Sequence, residues 1–189
     1  MIDSVHSLTD AELSAVRKAC YALTPAIYHR ERAPGYLAII LRTGMHPSVL
    51  ASPAAHNLTL TKEGEYYVLT WDRPKKRGML ARCESRMRVA EWRWLPTFIA
   101  QVQEEPTSKR SLQRLFLAVG EASGLPGRLT PRTLRHTAID QAISRGLSVS
   151  DACAYFSVSP AIAIRYAQLR DRDMRDRVQR TFETEACRP

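Results

Sequence analysis

The most informative segment of the chain reads Thr130-Pro131-Arg132-Thr133-Leu134-Arg135-His136-Thr137. A threonine followed by a proline is favoured at the start of a helix, because the threonine oxygen caps backbone N–H groups and the proline fits the first turn. We therefore predict a helix that begins at Pro131 and ends at Gly146, where glycine suits a left-handed cap. This helix would carry two arginines and a histidine within its first two turns.

A tyrosine, Tyr166, lies thirty-one residues after Arg135. It lies beyond Ser159-Pro160, a second helix-starting pair, and is predicted to be on the helix that this pair begins. Between the two helices, Ser148 and Asp151 form a weaker capping pair for a short helix. The arginine and the tyrosine are thus both predicted to be helical.

The N-terminal part of the chain is helical in pattern. Thr9 and Glu12 form a capping box ahead of apolar residues at helical spacing. An apolar helix is predicted over residues 36–41, with Gly44 just beyond its end, and Pro47 is suited to start a further short helix.

The central part of the chain changes to a strand pattern. Residues 58–61, 66–71 and 79–83 are rich in aromatic and β-branched types or are short apolar runs, and the turns over 62–65 and 72–78 separate them. The fold class predicted is α+β, mainly α, with one small three-stranded antiparallel sheet.

Helical periodicity resumes after the sheet. We predict one helical region over residues 89–102, with Pro96 as a kink or break, and a second over 112–119 that Gly124 closes. The C-terminal residues 171–185 carry an apolar residue every four positions among many charges, which predicts an amphipathic helix.

Composition narrows the class of protein. Lys and Arg exceed Asp and Glu by nine, and the pI is near 9.8, which favours a polyanionic partner such as DNA over a merely basic surface. The longest apolar run, residues 35–41, is far too short to cross a membrane, so we expect a cytoplasmic protein. His6, His29 and His56 group into no ligand set. The scattered cysteines predict unpaired thiols: Cys20, Cys83, Cys153 and Cys187.

These segments together resemble the tyrosine recombinases of the phage-integrase family. The resemblance rests on Leu134-Arg135-His136-Thr137 followed by Tyr166, and on Leu41-Arg42-Thr43-Gly44-Met45-His46, which is similar to the family's Thr-Gly-hydrophobic-Arg turn. The basic turn Pro74-Lys75-Lys76-Arg77 falls where the family carries a lysine of its sheet. The resemblance implies an integrase-type catalytic domain over residues 1–170, a C-terminal amphipathic tail over 171–189, and no N-terminal DNA-clamp domain.

The resemblance also implies roles for particular residues. Tyr166 would attack a DNA phosphate and form a covalent 3′-phosphotyrosine, and Arg135 would stabilise the transition-state charge through paired hydrogen bonds. Either Lys75 or Lys76 would protonate the leaving 5′ oxygen. No metal, nucleotide or redox cofactor is expected. DNA contacts are expected from Arg42, Arg73, Lys75, Lys76, Arg77, Arg132, His136 and Arg165.

The chain departs from the family's pattern at four places. The family's first arginine is His46 here, the histidine three residues before its second arginine is Arg132, and Ser157 stands about nine residues before the tyrosine instead of histidine or tryptophan. The acidic residue beyond the first arginine is absent near Val49. In one interpretation the site is rearranged but active, with His46, Arg132 and Ser157 in the missing places and Arg42 within reach. In a second, DNA binding remains and cleavage is lost. In a third, His46 is an engineered or inactivating change.

Two functions therefore compete at this point. The first is site-specific DNA recombination through Tyr166, and the second is DNA binding on a recombinase fold with little or no chemistry. Relaxation of supercoils, as in type IB topoisomerases, is a third. The resemblance implies double-stranded DNA as partner and self-association as a tetramer on DNA, in the cytoplasm of a prokaryote or virus-infected cell, near the nucleoid. The segments Met45-His46-Pro47-Ser48-Val49-Leu50 and Val158-Ser159-Pro160 resemble sequences of divergent integrases from archaeal mobile elements.

Overall fold

The computed structural model describes residues 7–24, 27, 29–74, 80–156, 158–164 and 166. The chain forms two compact units, Met1–Ala138 and Ile139–Pro189. Several sequence predictions lie outside the described residues, namely those for Lys75, Lys76, Arg77, Ser157, Arg165, Cys187 and the amphipathic helix over 171–185.

The first unit begins with three helices that follow the predicted signals. Helix α1 spans Asp10–Tyr21, and its capping box is present, with the Glu12 N–H donating to Thr9 Oγ1 at 3.2 Å and the Thr9 N–H donating to Glu12 Oε2 at 2.8 Å. Helix α2 spans Ala33–Thr43 and ends at Gly44, whose φ of 58° confirms the left-handed cap. Helix α3 spans Pro47–Ala51. Helix α2 starts earlier than predicted and includes Pro34 in its first turn. Proline is tolerated there because the first N–H groups of a helix have no acceptor within the helix, so the N–H that proline lacks is not needed.

The sheet has three antiparallel strands in the order β1-β2-β3, which confirms the predicted fold class. Strand β1 spans Thr59–Glu63, β2 spans Tyr66–Pro74 and β3 spans Leu80–Arg88. One face carries Leu69 and Trp71, which pair with Ser85 and Cys83 on β3, and these four side chains are buried. The third strand extends five residues beyond its predicted end at residue 83. The missed signal was the alternation of buried and charged residues along it, the period of a half-buried strand.

The helical region predicted over residues 89–102 is wrong in its first half. Residues 89–91 and 93–94 form turns, and helix α4 spans Leu95–Glu104 with Pro96 in its first turn. The proline therefore starts the helix instead of kinking it, because the first turn has no backbone acceptor for its missing N–H. Before α4, Trp92 and Trp94 lie with ring centroids 5.3 Å apart.

Two further helices complete the first unit. Helix α5 spans Lys109–Ala122, and Gly124 follows it with a φ of 77°, as predicted. Helix α6 spans Pro131–Ser144 and begins as predicted, with the Thr133 N–H donating to Thr130 Oγ1 at 3.0 Å. The core of the unit is formed by apolar residues of α1, α2, α3, α4 and α5, by Leu134 of α6 and by the buried face of the sheet.

The second unit contains the end of α6, helix α7 over Val149–Phe156, and the helical residues 160–164 and 166. The Asp151 N–H donates to Ser148 Oγ at 3.0 Å, which confirms the predicted cap. The helix predicted after Ser159-Pro160 is present in the residues described. Among the described residues of the second unit, the buried apolar ones are Ile139, Ile143, Ala152, Phe156, Ala163 and Tyr166.

Candidate functional site

A hydrogen bond joins Arg135 to the turn that follows α2. Arg135 Nη1 donates to the backbone carbonyl oxygen of Gly44, and the arginine is only 9% exposed. Gly44 is two residues before His46, so the bond brings α6 to the segment that contains the departure from the family pattern. The two motif regions quoted from the sequence therefore meet in space.

His46 caps helix α3 with its side chain. Its Nδ1 accepts the Ser48 N–H at 3.2 Å and lies 2.7 Å from Ser48 Oγ. Because Nδ1 is an acceptor, the neutral ring carries its proton on Nε2. His46 remains exposed, and Nε2 is the nitrogen that could donate to an anion.

Positive charges converge on His46. Its pKa lies below the ordinary value of 6.5, first because neighbouring protein atoms partly desolvate the ring, and then because Arg135, Arg73, Lys109 and His56 repel its charged form. These residues come from α6, β2, α5 and the short 3-10 helix Ala54–His56. Basic groups on four separate elements thus act electrostatically on the residue that precedes α3.

Sequence reasoning found only part of this cluster. Arg73 and Arg135 were predicted as site residues, whereas Lys109 and His56 were not, and His56 was taken as ungrouped. His56 Nδ1 donates to the carbonyl oxygen of Asp72 at 3.0 Å, which places it beside Arg73. No local motif could have revealed this, because the grouping depends on how α3 packs against β2 and α5.

The other predicted residues of α6 lie on its exposed side. Arg132 is exposed, and its Nε donates to His136 Nε2 at 3.3 Å. His136 is half-buried, and its pKa is lowered first by desolvation and then by repulsion from Arg132 and Arg135. His136 is therefore a neutral acceptor of the Arg132 hydrogen bond near pH 7.

Arg42 and Tyr166 occupy other environments. Arg42 is exposed in the last turn of α2, and its Nη2 donates to the carbonyl oxygen of Arg86 on β3 at 3.1 Å. Tyr166 belongs to the second unit, where it is 1% exposed. The catalytic and DNA-binding roles of these residues, and of the other predicted site residues, stay predictions.

The described part of the chain holds no group of His, Cys, Asp or Glu side chains that could bind a metal ion. Within the same residues, no helix is long and apolar enough to span a membrane. Cys20 and Cys153 are free thiols, and burial raises the pKa of Cys20 to about 12. A thiol of that kind is inert as a nucleophile.

The fold is shared with solved tyrosine recombinases and integrases. The structure of XerH site-specific recombinase bound to palindromic difH substrate, a post-cleavage complex, matches with a TM-score of 0.70 and 13% identity over 91% of this chain and 52% of that one. XerA recombinase matches with a TM-score of 0.62 and 16% identity over 93% of this chain and 65% of that one. The Tn1549 transposon integrase in complex with transposon right end DNA matches with a TM-score of 0.60 and 12% identity, over 87% of this chain and 62% of that one.

These comparisons define the class of fold. The chain has the tyrosine recombinase catalytic-domain fold, a helical domain with a small antiparallel sheet. It spans about half the length of the XerH chain. No known family profile matches the sequence, and no curated protein matches it.

Proposed function

We propose that this protein carries out site-specific DNA recombination, with Tyr166 as the nucleophile in strand cleavage and rejoining. The observation that carries the proposal is the hydrogen bond from Arg135 to Gly44, which brings this arginine to the turn before His46, where Arg73 and Lys109 also act on the histidine by their charge. Such a cluster suits a phosphate group, because guanidinium and ammonium groups bind phosphate oxygens through charge-assisted hydrogen bonds.

The proposed reaction needs no cofactor. The Tyr166 oxygen forms a bond to the scissile phosphorus as the bond from phosphorus to the 5′ oxygen breaks, which leaves a 3′-phosphotyrosine and a 5′ hydroxyl. The tyrosine gives up one proton to solvent water, and the 5′ oxygen gains one, for which Lys75 or Lys76 is the proposed donor; the lysine then regains a proton from solvent. Attack by a 5′ hydroxyl on the phosphotyrosine reverses these steps and rejoins the strand. Arg135 stabilises the negative charge of both transition states.

The proposed partner is double-stranded DNA. Among the structures that share this fold, XerH is bound to its difH substrate and the Tn1549 integrase is in complex with transposon right end DNA. The net charge of +9 supports binding to a polyanion. Assembly of four copies on DNA, a location in the cytoplasm near the nucleoid, and an origin in a mobile element belong to the same proposal.

A second candidate is DNA binding without efficient cleavage. His46 is favoured in its neutral form, so position 46 supplies less positive charge at pH 7 than an arginine would. In addition, Arg135 already donates to the carbonyl of Gly44. Loss of one charged donor from a site that stabilises a transition state typically lowers the rate by about 10² to 10³.

Covalent trapping distinguishes the two functions. A library of nicked duplexes with a randomised central sequence would be incubated with the protein, so that a short 3′ fragment diffuses away after cleavage and rejoining fails. Recombinase chemistry predicts a DNA-linked protein band that survives denaturation and is absent for Tyr166→Phe. The matched control is Tyr155→Phe, which removes the same hydroxyl from half-buried Tyr155 in α7 and should keep the band.

Binding is measured in parallel on the same DNA. Absence of the band with wild-type binding intact would contradict the recombination proposal and support the second candidate. A band that appears only in His46→Arg would identify position 46 as the reason that cleavage is weak.

A further inference from the structure

We infer that Arg73 and Lys109 complete, together with Arg135, a binding site for one phosphate group at the first turn of α3. In this site they supply the positive charge that His46 does not provide. The inference rests on the proposed function and assigns it two further residues, of which Lys109 has no sequence signal.

The fold packs the elements that carry the three residues around the start of α3. Helix α3 begins directly after His46 and packs against both β2 and α5. Arg73 lies at the end of β2, and Lys109 is the first residue of α5. Arg135 reaches the same turn through its hydrogen bond to Gly44. The cations are therefore held by three different elements around one short helix.

The position of Arg73 is fixed by its neighbour Asp72. The Asp72 carboxylate accepts hydrogen bonds from Asn57 Nδ2 at 2.6 Å and from Arg82 Nη1 at 3.2 Å, and the Asp72 carbonyl accepts from His56. Successive strand residues point to opposite faces, so this carboxylate points away from the face that Arg73 occupies. The acid beside Arg73 in the sequence is thus engaged on the other side of the sheet.

Arg73 is also partly withdrawn from water. It is half-buried, and desolvation lowers its pKa below the ordinary value, although a guanidinium stays charged at any physiological pH. A charge that has lost part of its hydration gains more from a bound anion than a fully hydrated one.

The electrostatics of His46 support the grouping. The strongest charge effects on this ring come from Arg135, Arg73, Lys109 and His56, and all of them disfavour its protonation. Like charges held near one another repel. A phosphate bound among them would remove that repulsion and would accept a hydrogen bond from His46 Nε2.

The test uses His46 as the reporter and sulfate as the probe. The ring signals of His46 are titrated by NMR in sodium chloride and in sodium sulfate at matched ionic strength. In the wild type, sulfate is expected to raise the pKa of His46. In Arg73→Gln, sulfate binding is expected to be about tenfold weaker, since a hydrogen bond between charged groups is lost. In Lys109→Gln, the loss is expected to be about threefold, because Lys109 is exposed.

Matched controls make the result specific. Arg93→Gln removes the same charge from an exposed arginine in the turn before α4 and should leave sulfate binding unchanged. Amide spectra check that each variant is folded, and exposed Lys109 keeps the inference testable if Arg73→Gln does not fold. Sulfate that leaves the wild-type pKa of His46 unchanged would overturn the site. Wild-type sulfate affinity in both Arg73→Gln and Lys109→Gln would overturn the assignment of these residues.

The sulfate titration and the covalent-trapping experiment can fail independently of each other. Tyr166→Phe should bind sulfate as the wild type does, and a failure of covalent trapping would leave the sulfate response unaffected. Conversely, trapping that succeeds in Arg73→Gln at the wild-type rate would retain the recombinase chemistry and reject this phosphate site.

Discussion

The guanidinium of Arg135 donates a hydrogen bond to the carbonyl oxygen of Gly44, ninety-one positions earlier in the chain. Gly44 is the left-handed residue that closes α2, and its carbonyl would otherwise be a buried acceptor at a helix end. One side chain therefore both closes the end of α2 and brings a positive charge to His46. A structural role and the proposed phosphate-binding role coincide in this residue.

Replacement of Arg135 by glutamine is expected to destabilise the fold. The Gly44 carbonyl would lose its charged donor, and an unsatisfied buried acceptor costs about 1–3 kcal/mol in the free energy of unfolding. Urea denaturation measures the change. Arg132→Gln, on the exposed side of the same helix, should change stability by less than about 0.5 kcal/mol. Equal losses in the two variants would contradict the structural role given to Arg135.

The two histidines near Arg135 make stability depend on pH. The pKa values of His46 and His136 are lowered in the folded state from 6.5, by desolvation and by repulsion from Arg135, with Arg132 acting on His136 and with Arg73, Lys109 and His56 acting on His46. The unfolded chain then binds protons more readily as the pH falls below 6.5. Stability contributed by these groups is present above that pH and is lost on acidification.

The measurement for this prediction is the free energy of unfolding at several pH values between 8 and 5 at constant ionic strength. His136→Gln keeps a neutral side chain at this position, so its stability should fall less steeply than that of the wild type over the acidic part of the range. A steeper fall in the variant would show that the sign assigned to His136 is wrong.

Gly35 in α2 supports an aromatic contact. A Cβ at this position would lie 2.3 Å from Phe98 Cε2, and the Phe98 ring packs edge-on against Tyr36 with centroids 5.2 Å apart. We expect Gly35→Ala to destabilise the protein by roughly 1–3 kcal/mol, because displacement of a buried ring outweighs the gain in helix propensity. The double variant with Phe98→Leu should recover part of the loss. A more stable single variant in thermal unfolding would contradict this packing.

Arg32 joins the start of α2 to the segment after α4. It is 8% exposed, and its two terminal nitrogens donate to the Glu105 carbonyl oxygen and to Glu105 Oε2, both at 2.7 Å. Arg32→Met keeps most of the apolar volume but removes both bonds, so a loss of about 2–3 kcal/mol is expected. Glu105→Gln keeps the carbonyl partner and should lose less, since its side chain is exposed. Chemical denaturation of both variants gives the comparison.

The fold was predictable from the sequence where the signal was local. Helix starts at Thr9 and Thr130 and the glycine after α2 each depend on a few adjacent residues, so capping rules located them. The helix predicted over Val89 and Trp92 was wrong, because apolar spacing compatible with a helix also arises in turns that cover a core. Pro96 was the stronger signal, and a start at this proline was the better prediction.

The site was predictable only in part. Arg135 was identified because it lies in a recognisable motif. Lys109 and His56 were missed because they approach His46 only after α3 has packed against β2 and α5, contacts that no sequence spacing encodes. The consequences of His46 for phosphate binding likewise depend on which charges surround it in the folded chain.

Position 46 provides the most direct link between this charge cluster and the proposed binding of DNA. In the free protein the pKa of His46 is lowered, whereas a neighbouring DNA phosphate would raise it, so binding of DNA would be accompanied by uptake of a proton. The affinity for duplex DNA is therefore expected to increase as the pH falls from 7.5 to 6. His46→Gln should show a weaker pH dependence, measured by fluorescence anisotropy at constant salt. His46→Arg should bind roughly tenfold more tightly at pH 7.5, because a permanent charge replaces a neutral ring. If His46→Gln and the wild type had the same pH dependence, the phosphate would not contact residue 46, and the proposed site would have to bind DNA through Arg135, Arg73 and Lys109 without it.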